Sequence, residues 1–157
     1  MIELASLKDS IWDSIKETFE TMISLPIENL DTDTEQEKLI SPVICTITFT
    51  NDINGSLSIL CAYKTAEKIT KAMLMMESNE DIDEPGVHDA LGEVTNMVLG
   101  GLKTRLADTA SDIQISIPTV IKGTEIFPRI GKGVENVAIT TAIDGDILKI
   151  IVKIRPK

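Results

Sequence analysis

Asp89, Glu93 and Asn96, set four and three positions apart, are the residues of this chain best suited to chemistry. They fall within residues 84–106, where Leu91, Val94, Val98, Leu102 and Leu106 recur at three- and four-residue steps and mark the buried stripe of an amphipathic helix. At about 100° per residue, Glu93 stands about 200° away from Leu91, so Asp89, Glu93, Asn96 and Gly100 form a second stripe on the solvent side. A carboxylate one turn from a neutral amide sets an anionic anchor beside a group that both donates and accepts hydrogen bonds. Gly100 and Gly101 follow with almost no side-chain bulk. They cost helix stability, and close approach by another surface is one reason to accept that cost. An acid beside an amide is also what an ordinary solvated helix face looks like, so the pair needs support from elsewhere.

Other candidates are weaker. His88 is the only histidine and reads as a structural or surface residue. Cys45 and Cys61 lie in apolar, strand-like runs without CxxC spacing and read as small buried hydrophobes, close enough in pattern to be neighbours across a hairpin. Gly131-Lys132-Gly133 lacks the spacing of a phosphate loop and reads as a turn. The acids of Glu80–Glu84 lack the ligand spacing of a calcium loop and suit the positive end of the helix that follows. No metal or cofactor site of the chain's own is expected. Twenty-five acidic against fifteen basic residues, a formal charge of −10, disfavour nucleic acid and anionic lipid as partners.

These residues must be positioned by a core of Ile, Val, Leu, Met and Ala, since only 3% of the chain is aromatic while 43% is hydrophobic. The 157 residues suit a single domain. Residues 7–23 place Leu7, Ile11, Ile15, Phe19, Met22 and Ile23 on one helix face, and Leu25-Pro26 ends the helix. Residues 29–37 read as a polar loop with room for one short strand. Residues 43–50 and 56–61 alternate apolar and polar as strands of a hairpin turned at Asn54-Gly55. Residues 64–76 form a helix with Ile69, Met73 and Met76 at core spacing. Ile113, Ile115 and Ile117 share one face of a further strand, and residues 134–143 and 147–155 close the chain as a hairpin about Asp144-Gly145. One-sided alternation predicts an α+β fold, a mainly antiparallel sheet with one face covered by helices. The absence of a long apolar run or a secretory pattern predicts a soluble, cytoplasmic protein without membrane insertion.

The string Asp89-Ala-Leu-Gly-Glu93-Val-Thr-Asn96, with Pro118 twenty-two positions after Asn96, resembles the signature of the CheC/CheX/FliY chemotaxis phosphatases. The helix-first order, the early hairpin, the Asn-x-x-x-Gly-Gly run from Asn96 to Gly101 and the terminal hairpin look like the CheX branch, so the resemblance covers most of the chain. It implies a fold of two pseudo-repeated halves and a homodimer. The implied substrate is a phosphorylated CheY-type response regulator that brings its own Mg²⁺. The implied catalytic residues are Glu93, pairing with the regulator's active-site Lys, and Asn96, orienting the attacking water. Asp89 and Gly100 would lie at the partner interface. In the first helix, Asp13-Ser-Ile-Lys-Glu17-Thr-Phe-Glu20 repeats the spacing with Glu20 in place of Asn, which would leave that site inactive, because a carboxylate cannot donate as an amide does and would repel a phosphoryl group. The alternative is a non-catalytic domain that docks on a response regulator or a flagellar switch component.

Overall fold

The computed structural model describes residues 3–30, 39–126 and 132–155. The chain runs α1 (Leu4–Glu17), β1 (Ile27–Leu30), β2 (Pro42–Asn51), β3 (Asn54–Ala62), α2 (Tyr63–Met73), α3 (Glu84–Arg105), β4 (Ile113–Ile115), β5 (Thr119–Lys122), β6 (Glu135–Ile143) and β7 (Asp146–Arg155). The strands form one antiparallel sheet in the order β1-β6-β7-β3-β2, with β4 and β5 sharing the outer edge of β2.

The alternation read from the sequence becomes continuous rows across this sheet. Cys45 lies opposite Ile59, Ile59 opposite Ile150, and Ile150 opposite Ile139. Ile47, Leu57, Val152 and Val137 make the next row. All eight side chains are buried in the same cluster as Leu7, Ile11 and Ile15 of α1 and Leu91, Val94 and Val98 of α3. Thr46 and Ser58, one position off these rows, meet on the other face, with their hydroxyl oxygens 2.8 Å apart. The sheet therefore has one apolar face under helices and one more polar face, as expected for an α+β protein.

The two halves interlock. α1, β1 and the β2–β3 hairpin correspond to α3, β4–β5 and the β6–β7 hairpin. β3 and β7 pair at the centre, while β1 crosses to β6 and β4–β5 cross to β2. This is the arrangement expected of pseudo-repeated halves, with α2 added to the first.

Four local expectations are corrected. Residues 18–23 are π-helical, not α-helical, and close on Ser24 at φ 62°. The wider turns keep Phe19 and Ile23 in the core but swing Met22 outward to 60% exposure. The first hairpin turns at 51–54, with Asn51 at φ 90°. Gly55 is already paired with Phe49 in β3, where an added Cβ would lie 2.1 Å from the Lys153 carbonyl oxygen. α2 ends at Met73, so Met76 lies beyond it. β4 stops at Ile115, and Ile117 is 86% exposed, not aligned with the buried Ile113. The closing turn is as expected, with Asp144 and Gly145 both at positive φ.

Candidate functional site

α3 is started by Asp83, whose Oδ1 accepts a hydrogen bond from the Gly86 amide at 2.8 Å, with Pro85 in the first turn. The cap satisfies a backbone donor that the helix leaves unpaired. The acid cluster before the helix thus has a local structural role, and Glu80 likewise accepts from the Glu77 amide. Burial of Val87, Leu91, Val94, Val98 and Leu102 fixes the phase of the helix. Each such side chain contributes about 1.5–3 kcal/mol when fully removed from water. With that phase set, Asp89, Glu93, Asn96 and Gly100 all point to solvent.

Among the described residues, the side chains of Asp89, Glu93 and Asn96 take part in no hydrogen bond or ion pair. Nothing lies within 4 Å of the space a Cβ on Gly100 would occupy. Glu93 and Asn96 line a shallow depression of about 410 Å³ together with His88, Asp89, Gly92, Val120 and the segment Ser116, Ile117 and Pro118. Pro118 closes one side by packing on Gly92, where a Cβ would meet the proline ring at 3.3 Å. The Ser116 hydroxyl accepts from the Thr48 amide at 3.0 Å and donates to the Ile117 carbonyl, while the Ser116 amide donates to the Thr48 carbonyl at 2.9 Å. The Glu–Asn face is therefore set against a wall anchored to both α3 and β2. Gly92 and Ser116 were not singled out in the sequence. A glycine inside a strongly patterned helix, between Leu91 and Glu93, was the available signal.

The remaining candidates are placed plainly. His88 Nε2 is buried without a hydrogen-bond partner among the described residues and stands 3.6 Å from Glu84, one turn back. Glu84 is also 3.6 Å from Lys122, whose ammonium lies 4.2 Å from the centre of the Tyr63 ring. A larger depression of about 470 Å³ at the start of α2 includes Tyr63 and Lys122, but none of the α3 stripe. Its Lys122 is already engaged, which makes it the weaker place for catalysis. Cys45 and Cys61 are buried, free and diagonal to each other, facing Ile59 and Val43 respectively. Burial pushes the Cys61 thiol up to about 12 and the Cys45 thiol upward as well, the opposite of what a nucleophile needs. Among the described residues, no three His, Cys, Asp or Glu side chains are grouped to hold a metal ion. Likewise, no helix there is long and apolar enough to cross a membrane. Gly131 lies outside the described residues; Gly133 adopts φ 69°.

The corresponding face of α1 is in a different state. Asp13, Glu17 and Glu20 are exposed, but Glu17 is paired with Arg105 at the end of α3. Ser14 hydrogen-bonds the Val98 carbonyl and sits where a Cβ on Gly101 would fall, so the close approach permitted at Gly101 is made by α1 itself.

Comparison with known proteins agrees with this architecture. The family model described as Chemotaxis phosphatase CheX matches residues 43–142. A curated relative, the CheY-P phosphatase CheX of Thermotoga maritima, is 31% identical over 84 residues, covering 54% of this chain and 54% of the relative. The chain thus spans about half the length of that relative. The crystal structure of the chemotaxis protein CheX from Vibrio vulnificus has the same fold, with a TM-score of 0.78 and 24% identity over 99% of this chain and 100% of that one. A CheX–CheY–BeF3–Mg²⁺ complex from Borrelia burgdorferi has a TM-score of 0.71 at 19% identity, over 94% of this chain and 97% of that one. With a family model that matches well over half of its length, and with this sheet and these interlocked halves, the chain belongs to the CheX family.

Proposed function

We propose that this protein hydrolyses the aspartyl phosphate of a CheY-type response regulator at the α3 face. The observation that carries the reading is that Glu93 and Asn96 stand on one exposed helix face without partners among the described residues, beside a braced wall. Phosphoryl transfer of this kind passes through a loose, in-line transition state, so the protein's work is positioning and charge stabilisation. Glu93 pairs with the regulator's active-site Lys and anchors α3 over the phosphorylated Asp. Asn96 then hydrogen-bonds the attacking water and holds it in line with phosphorus. The neutral amide suits this role because it adds no charge to an already anionic centre. Asp89 extends the negative field at the edge of the contact, and Gly100 leaves the stripe low enough for the partner to approach. The Mg²⁺ used in the reaction belongs to the regulator.

The protein acts in the cytoplasm and as a homodimer, for which the sheet edges at β1 and at β4–β5 offer backbone pairing. Sedimentation at micromolar concentration tests the second point.

The functional test is the decay of a phosphorylated CheY-type regulator with and without this protein. Acceleration by the wild type and its loss in Glu93→Ala are expected. Binding without acceleration would leave a docking domain in place of an enzyme.

A further inference from the structure

The wall opposite the Glu93–Asn96 pair carries an irregularity that the reaction itself does not use. Ile115 is paired with Phe49 and Thr119 with Thr46. Three residues, Ser116, Ile117 and Pro118, therefore stand opposite only two on β2, Ile47 and Thr48. An extra residue in an edge strand bulges outward, and bulges beside active sites re-aim a side chain. Both flanks are tied down, Ser116 to the Thr48 backbone and Pro118 against Gly92. Ile117 between them is held in solvent at 86% exposure, on the rim of the depression that Glu93 and Asn96 line.

A single exposed isoleucine is ordinary on a protein surface. This one is raised by a braced bulge, its neighbour Ile115 is 40% exposed, and it borders two polar side chains that are unengaged among the described residues. A rigid apolar projection beside an anionic anchor matches a protein surface that offers an apolar recess next to a cation. We propose that Ile117 is a specificity-determining contact for the phosphorylated receiver surface of the regulator, a binding residue that touches no reacting atom. The inference rests on the function proposed above and names one more residue of that same interface.

The test measures steady-state dephosphorylation, and binding to the beryllofluoride-activated regulator, for wild type, Ile117→Ser and Ile117→Leu. Ile117→Ser is expected to raise KM and Kd about tenfold or more, as an interface anchor does when truncated, and to leave kcat within about twofold. Its thermal unfolding should be nearly unchanged, because the side chain is 86% exposed. Ile117→Leu should restore most of the affinity. An active wild type with Ile117→Ser matching it in KM and Kd overturns this inference alone. A loss of affinity explained by a change in the protein's mass in solution assigns Ile117 to contact between copies and also overturns it. A wild type that neither binds nor dephosphorylates overturns this inference together with the function it rests on.

Discussion

Helices α1 and α3 hold corresponding places in the two halves and carry the same spacing of exposed polar residues, Asp13, Glu17 and Glu20 against Asp89, Glu93 and Asn96. On α1 the central acid is engaged by Arg105, and the third position falls in a π-helical segment and is a second carboxylate. On α3 the central acid is unpaired among the described residues, and the third position is an amide on a regular helix. The lesson is that spacing alone does not make a site. A helix face becomes one when its polar groups stay unengaged, when its charges suit an anionic centre, and when a fixed wall stands beside it. On the function proposed above, α3 meets all three conditions among the described residues, whereas on α1 Glu17 is held by Arg105 at the end of α3.

The most severe test of this comparison moves the α1 residue onto α3. Asn96→Glu is expected to lower the dephosphorylation rate by at least the 10²–10³-fold range estimated for losing one positioned donor, since it adds repulsion as well. The reverse change, Glu20→Asn, is expected to restore nothing when Asn96 is also Glu, because Glu17 remains paired and the local helix is π-type. Activity regained in that double variant would break the comparison.

The two adjacent glycines give opposite expectations for stability. Gly101→Val should destabilise by about 1–3 kcal/mol in denaturant unfolding, because Ser14 already fills the space. Gly100→Ala meets open space and should stabilise α3 by about 0.5–1 kcal/mol while weakening binding to the regulator. The smallest effect belongs to Arg105→Ala, which frees Glu17. Loss of a partly exposed ion pair is worth about 0.2–1 kcal/mol, and the change should leave the phosphatase rate untouched.

The exposed face of α3 was legible in the sequence because the Leu91, Val94, Val98 and Leu102 stripe fixes the helix phase, and everything on the far side follows. The closing hairpin was legible for a similarly local reason, since Asp144-Gly145 suits two successive positive φ angles. The misread features depend on contacts between distant residues. Gly55 resembles a turn glycine, yet it is needed because the Lys153 backbone comes close to it in the sheet. Ile117 looked like the third member of an apolar row, and only the pairing of β5 with β2 shows that a residue must bulge out. Met22 was placed by α-helical spacing that ends at Glu17. For the candidate site, residue type and spacing put Glu93 and Asn96 on one exposed face and the resemblance to the chemotaxis phosphatases singled them out, but the wall that Ser116 and Pro118 make beside them could not be read. It is built by a strand edge and a glycine whose partner is more than twenty residues away.

The most direct test of the central claim separates binding from hydrolysis at Asn96. Asn96→Ala should bind the beryllofluoride-activated regulator as tightly as the wild type and release phosphate from the phosphorylated one about 10²–10³-fold more slowly. Hydrolysis at the wild-type rate by Asn96→Ala would contradict the account.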